Sequence, residues 1–222
     1  MREKDVGRFN RWAANYDESP LQRIFFGHVH AAVLDIVAGL NFERPCLLDI
    51  GCGTGALLRK AAGRFPQSEL HGADPAPEMV RMAREGMPAG SHLDFVQGAA
   101  QDLPFSDARF DVVLSTVSFH HWGDQARGLR EVARVLAPGG FFILADMFAI
   151  SLGRLIYTLA GSRDRFHAKK KIEDLLCQTG LEALNWQVAY PVGPYAAVWA
   201  ITTRKASRRG TSETGSASLE AR

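Results

Sequence analysis

The chain has 222 residues, enough for one α/β domain with a substantial core, and its 46% hydrophobic and 23% charged residues are ordinary for a globular protein. A formal net charge of +2 leaves no electrostatic footprint for nucleic acid, so no nucleic-acid partner is expected. Cys46, Cys52 and Cys177 are irregularly spaced, which excludes a disulfide framework and a thiolate metal site. The charged opening "MREKDVGRFNRW" lacks the apolar core of a secretory signal, so a reducing, cytoplasmic compartment is expected.

Residues 1–40 read as a helical N-terminal lobe, with "FNRWAANYDE" (9–18) and "LQRIFFGHVHAAVLDIVAGL" (21–40) as its helices. Trp12 and Tyr16 share a helix face; His28 and His30 read as face residues of the second helix before they read as acceptor ligands. A body spanning 41–205 follows. "PCLLDI" (45–50) is a short apolar run ended by glycine, a buried strand, and "ALLRKAAGRF" (56–65) has helical spacing. "ELHGAD" (69–74) is a second strand ending in an acid. "APEMVRMAREGM" (76–87) is a helix with proline at its start, where a missing N–H costs nothing. "HLDFVQG" (92–98) and "FDVVLST" (110–116) are strands three and four. "DQARGLREVARVL" (124–136) is amphipathic through Leu129, Val132, Ala133 and Leu136, and "FFILAD" (141–146) is strand five.

Such alternation predicts a parallel sheet with helices on both faces. The end differs: "LEALNWQVAYP" (181–191) and "YAAVWAITTR" (195–204) are joined by so little chain that they must form an antiparallel hairpin. Between strand five and that hairpin, residues 147–178 read as an apolar helix, "MFAISLGRLIYTLAG", then a basic and amphipathic one. The long apolar run is broken by Asp146 and Arg154, which argues for a strand followed by a helix against a membrane span. Residues 206–222 are rich in Ser, Gly and Thr and read as a disordered tail.

The functional signal lies in "LLDIGCGTGALL" (47–58). Gly51, Gly53 and Gly55 permit positive φ and let a ligand lie on bare backbone at a helix N-terminus. The string also satisfies the loose dinucleotide fingerprint, with Asp74 about 20 residues on. Charge separates the two readings. A dinucleotide would place a diphosphate beside Asp49, and the charges would repel; S-adenosylmethionine would place an ammonium and a sulfonium there, and they would attract. Asp49 otherwise reads as a turn cap, and Asp74 as an N-cap of the helix after Pro75.

"LLDIGCGTG", "HGADPAPEMV", "GAAQDLPFSDARFDVVLS" and "EVARVLAPGGFFILAD", in that order, resemble the class I S-adenosylmethionine-dependent methyltransferases, in the branch of the ubiquinone- and menaquinone-pathway and small-molecule enzymes. The resemblance implies a Rossmann-like α/β fold, a mixed sheet of about seven strands ordered 3-2-1-4-5-7-6 with strand 7 antiparallel, and an N-terminal helical lid. It implies S-adenosyl-L-methionine as cofactor and S-adenosyl-L-homocysteine as product. On that pattern Gly51, Cys52, Gly53 and Gly55 carry the methionine part and Asp74 the ribose hydroxyls. Pro75 and Met79 flank the adenine, Ala100, Gln101, Asp102 and Leu103 bind its edge, and Ser115 and Thr116 sit beside the sulfonium. "FNRWAANYDE" matches an F-x-x-x-A-x-x-Y-D pattern through Phe9, Ala13, Tyr16 and Asp17, which implies that Tyr16 contacts the cofactor.

Methyl transfer to an activated cofactor needs alignment, exclusion of water and, for a weak nucleophile, a base. "SFHHW" (118–122) follows strand four, so His120 and His121 are the candidate bases, with Tyr16 as a third catalytic candidate; each also reads as pocket wall. No metal is expected, because the several carboxylates of a metal-assisted site are missing. The expected partner is a small acceptor, apolar or aromatic, methylated at O, C or N, on the strength of Phe148, Leu152, Leu155 and Tyr157 in the insertion. Three other readings stay open: an NAD-dependent oxidoreductase, a non-catalytic cofactor-binding protein, and a lipid or quinone methyltransferase whose "AKKK" and "RKASRR" runs touch an anionic membrane surface.

Overall fold

A computed structural model describes residues 3–13, 20–88, 90–149, 169–193 and 196–206. Tyr16, Asp17, Leu152, Leu155, Tyr157 and the tail from 207 lie outside the described residues. Two helices come first, α1 (Glu3–Trp12) and α2 (Pro20–Gly39). Then β1 (Cys46–Ile50), α3 (Ala56–Arg64), β2 (Glu69–Asp74), α4 (Pro77–Glu85), β3 (Leu93–Gln97) and β4 (Phe110–Thr116) alternate. A single 3-10 turn at Phe119–His121 leads to α5 (Gln125–Val135), β5 (Leu136–Ala149), α6 (Lys169–Gln178), β6 (Leu181–Gly193) and β7 (Ala196–Lys205).

The seven strands form one sheet in the order β3-β2-β1-β4-β5-β7-β6. The first five are parallel; β7 runs antiparallel to both β5 and β6. Because both faces are covered, the central strands are rich in apolar residues and send alternate ones to opposite cores. Leu48, Val113, Phe142 and Leu144 join one core with Leu129 and Val132 of α5 and Ile172 and Leu176 of α6. Leu47, Val112, Leu114 and Ile143 join the other with Val29 and Val33 of α2, Leu57 and Leu58 of α3 and Val80 of α4. The buried stripe of α5 is Gly128, Leu129, Val132 and Val135; of the predicted stripe Leu129 and Val132 are buried, Ala133 is half-buried and Leu136 already belongs to β5. The N-cap Asp124 accepts from the Arg127 N–H at 2.9 Å.

Strand five departs from the sequence reading at both ends. Leu136 pairs with Phe110, and a register shift then absorbs Ala137–Gly140 before Phe141 pairs with Val112. The "PGG" that reads as a helix stop is therefore a bulge inside the strand. At the other end β5 runs on to Ala149, so Met147 and Phe148 are strand residues where the hydropathy reads helix. The antiparallel ladder with β7 is the reason: Met147 pairs with Val198 and Phe148 with Ala197, beyond the last pairing with β4.

The N-terminal helices are held at the carboxyl edge of the sheet. Phe9 and Ala13 pack with Ala76 and Met79 of the α4 start, and Asn10 Oδ1 accepts from the Glu78 N–H at 3.2 Å. Helix α2 lies across the sheet on the α3 side through Val29, Val33 and Val37.

Candidate active site

The carboxyl ends of β1, β2 and β4 meet α1, α2 and α3 around a cavity of about 740 Å3. Its place is the switch point of the strand order, where β1 sits between strands whose connections leave in opposite directions. The volume lies in the range of roughly 300–1,000 Å3 usual for small-molecule sites.

The floor is the loop after β1. The Gly51 and Cys52 N–H groups both donate to the Ala73 carbonyl, at 2.7 and 3.2 Å, which ties the loop to β2. At Gly51, with φ 77°, a Cβ would sit 2.5 Å from Ser118 Oγ, so only glycine allows the loop to pass under the turn after β4. At Gly53 a Cβ would meet nothing within 4 Å, and that peptide presents bare backbone to the cavity. Gly55 is packed against Phe95 and does not line the cavity.

Two acids flank this loop. Asp74 ends β2 and is spent on architecture: its Oδ2 accepts from the Gly53 N–H at 3.0 Å and its Oδ1 from the Ala76 N–H at 2.8 Å. The cap and the ligand readings of Asp74 are thus compatible, since each carboxylate oxygen has a second lone pair. Asp49 is different. It is only 2% exposed, lines the cavity, and its Oδ1 has no hydrogen-bond partner. Burial first, and the Asp74 charge second, push its carboxyl up to about 7. A buried carboxylate left this way calls for a cation, and a diphosphate would meet two acids instead. The bare Gly53 peptide, the Asp74 lone pairs and the unpartnered Asp49 oxygen fit an ammonium-bearing nucleoside such as S-adenosylmethionine.

The family described as a methyltransferase domain matches residues 48–144, the stretch from β1 into β5 that holds this floor. Residues 48–144 thus match a methyltransferase domain, and the chain resembles S-adenosylmethionine-dependent methyltransferases. It is 29% identical over 196 residues to a malonyl-[acyl-carrier protein] O-methyltransferase of Geobacter sulfurreducens, covering 83% of this chain and 72% of the relative. It is 38% identical over 101 residues to a demethylmenaquinone methyltransferase of Deinococcus radiodurans, covering 45% of this chain and 42% of the relative. The chain therefore spans less than half of the second relative. A solved S-adenosylmethionine-dependent methyltransferase from Methanosarcina mazei superposes with a TM-score of 0.67 at 22% identity, covering 78% of this chain and 97% of that one; it shares the fold.

Of the residues expected at the methyltransferase site, Asp49, Gly51, Cys52, Gly53, Asp74, Met79, Thr116 and His121 line the cavity. Gly55, Pro75, Ala100, Gln101, Asp102, Leu103, Ser115 and His120 do not. Ala100 and Leu103 are buried in the loop after β3, where Glu131 accepts from the Leu103 N–H at 2.9 Å. Ser115 Oγ is hydrogen-bonded to Ser118 Oγ at 2.9 Å, which leaves Thr116, with its Oγ1 unpartnered, as the strand-four hydroxyl on the cavity.

The two adjacent histidines divide. His120 is turned to Asp146, which accepts its backbone N–H at 3.0 Å and lies 2.8 Å from its Nδ1. His121 faces the cavity, edge-on to Phe9 at 5.2 Å and 3.8 Å from Asp5 of α1. Burial, then the neighbouring His120, push His121 down to about 4.

Sequence reasoning missed the opposite wall. Arg23, Ile24, Phe26 and His30 of α2 and Arg59 and Lys60 of α3 line the cavity. Of these, His30 reads in the sequence first as a helix-face residue and then as an acceptor-site one; the structure puts it on the cavity, and the other five went unread. It also missed Val117, a β-branched residue at φ 51°, a strained turn that brings Val117 and Ser118 to the cavity. Among the described residues Cys46, Glu69 and His71 also gather, at the amino ends of β1 and β2 away from the cavity; Arg109 there donates to His71 Nε2 at 3.1 Å and opposes a further cation. Among the described residues no helix is long and apolar enough to cross a membrane.

Proposed function

We propose that this cavity binds S-adenosylmethionine over the β1 loop and that the chain moves its methyl group to a small, largely apolar acceptor held against α1 and α2. The observation that carries the reading is the buried, unpartnered oxygen of Asp49 beside bare loop backbone. In this reading Asp49 faces the ammonium, Gly51, Cys52 and Gly53 carry the methionine part, and Asp74 accepts from the ribose. Met79 lies by the adenine and Thr116 belongs to the methyl-donor side, to which the resemblance also assigns Tyr16. The cofactor supplies a methyl already activated on a sulfonium; the chain supplies alignment and a dry wall. Phe9, Ile24, Phe26 and Val117 give the acceptor side its apolar character.

The N-terminal lobe, residues 1–40, acts in this reading as the lid, since Phe9 and the α2 residues already roof the cavity. Residues 147–178 are assigned to the acceptor side by the sequence alone; of them Phe148, Ile172 and Leu176 lie in the core with α5. The relative named as acting on malonyl-[acyl-carrier protein] supports O-methylation as the first chemistry to try.

Calorimetry with S-adenosylhomocysteine and with NADH tests the cofactor: binding of the first and not the second is expected, and the reverse would return the site to a dinucleotide. Methyl-labelled S-adenosylmethionine, incubated with the protein and an extract of its native host and then partitioned, tests turnover. Label in the lipid or small-molecule fraction is expected. Cofactor binding without label in any fraction favours the non-catalytic reading.

A further inference from the structure

The cavity is lined by charges of both signs. Asp49 and Asp74 line it from the strand ends, while Arg23, Ile24 and Phe26 line it from α2 and Lys60 from α3. Arg23 and Lys60 make no hydrogen bond or ion pair among the described residues; Arg59 is occupied by the Thr54 carbonyl at 2.5 Å. His30, 7% exposed, also lines the cavity with no partner at Nδ1, close enough to Lys60 to feel its charge.

We propose that the acceptor is an amphipathic carboxylic acid, bound as its carboxylate by Lys60, Arg23 and His30 with its apolar part on Ile24, Phe26 and Phe9. This rests on the methyltransferase reading of the same cavity and names its substrate class. Cations and apolar side chains lining one cavity suit a charged head on an apolar body, and a neutral imidazole has one N–H to give an anion.

The proton balance points the same way. Phenol, alcohol and amine acceptors must lose a proton to a base matched to neutral pH. His121 is pushed down to about 4 and His30 to about 3, too weak for that task, and His120 is engaged with Asp146 off the cavity; Asp49, up at about 7, is taken by the ammonium in this reading. A carboxylate needs no base. One oxygen lone pair forms the new O–C bond, the methyl–sulfur bond breaks with its electron pair left on sulfur, and the anionic and cationic charges cancel. The products are a methyl ester and a neutral thioether, with no proton released.

Two measurements test this on the purified chain. In the first, affinities for octanoate and octan-1-ol are measured with S-adenosylhomocysteine bound, in the wild type and in the Arg23→Gln/Lys60→Met double variant. Octanoate should bind at least tenfold tighter than the alcohol, and the double variant should lose tenfold or more for octanoate while its S-adenosylhomocysteine affinity stays within twofold. Equal affinity for the alcohol overturns the proposal. So does a tenfold loss of S-adenosylhomocysteine, which would give the two cations to the cofactor's own carboxylate. In the second, methyl-labelled product from host extract is treated with mild alkali. Label released as methanol marks an ester and supports the proposal; alkali-stable label overturns it and leaves the methyltransferase reading standing. Failure of the wild type to bind S-adenosylhomocysteine would overturn both.

Discussion

Asp49 and Asp74 end neighbouring strands as buried carboxylates in opposite hydrogen-bond states: Asp74 accepts two backbone N–H groups, while Asp49 Oδ1 accepts none. The difference fixes their roles. Asp74 builds the loop and stays able to accept more; at Asp49 burial and the Asp74 charge hold the carboxyl up to about 7.

That shift makes stability fall with pH in the cofactor-free protein. The folded state holds the Asp49 proton more tightly than the unfolded chain, whose carboxyl titrates near ~3.9. The contribution is whole below about 4, is lost as pH rises to about 7, and is flat above. Asp49→Asn removes the titration. Its stability relative to wild type, from denaturant unfolding, should rise by roughly 2–3 kcal/mol between pH 5 and pH 8, given a folded value of about 7. An advantage unchanged across that interval would mean that Asp49 is already ionised at pH 5.

Cofactor binding should carry the reverse linkage. An ammonium beside Asp49 draws the carboxyl back to its ionised form, so binding below pH 7 releases a proton. S-adenosylhomocysteine affinity should therefore rise from pH 5 to pH 7.5, by at most about tenfold per unit, and Asp49→Asn should flatten the rise. Calorimetry in two buffers of different ionisation enthalpy reads the released proton directly. A flat wild-type profile would move the ammonium away from Asp49.

Asp74→Asn keeps the size of the side chain and replaces one acceptor oxygen by a donor. That NH2 then faces either the Gly53 or the Ala76 N–H, so one bond of the pair is lost and a backbone donor is stranded. The cost to the ligand-free protein should be about 1–3 kcal/mol. S-adenosylhomocysteine affinity should fall at least tenfold, measured at a temperature where the variant is fully folded. Loss of stability with affinity intact would leave Asp74 as a loop anchor and place the ribose elsewhere.

The fold was legible because burial on both faces writes short apolar runs that glycine and acids punctuate, and β1 to β4 fall within a residue or two of those runs. The ends of β5 were not legible. Ala137–Gly140 reads as a helix stop because a bulge uses the same residues, and Met147–Ala149 reads as helix because the partner that keeps it extended, β7, lies far along the chain. The strand-side half of the site was legible for the same local reason: Asp49, the glycines and Asp74 sit in motif spacing around one loop. Arg23, His30 and Lys60 carry no spacing signal, since only the packing of α2 across α3 brings them to one cavity. The division between His120 and His121 depended on Asp146, a partner from another strand.

Gly51 and Gly53 both adopt positive φ, at 77° and 54°, yet alanine should fail in different ways at the two positions. At Gly51 a Cβ would lie 2.5 Å from Ser118 Oγ and 2.6 Å from Ser118 Cβ, so Gly51→Ala must push the turn after β4 as well as strain the backbone. A loss of roughly 2–5 kcal/mol is expected, from overpacking of about 1–3 kcal/mol added to about 1–2 kcal/mol of left-handed strain. Ser118→Gly in the same chain should restore some of it. At Gly53 the new methyl meets no protein atom within 4 Å, so Gly53→Ala should cost only the backbone term, about 1–2 kcal/mol. The methyl instead enters the cavity where the methionine part is proposed to lie. Gly53→Ala should thus lose S-adenosylhomocysteine affinity tenfold or more with the smaller stability loss, and Gly51→Ala should show the larger stability loss. Melting curves and calorimetry on both variants separate the two. Wild-type affinity in a folded Gly53→Ala protein would mean that the ligand does not lie on that peptide.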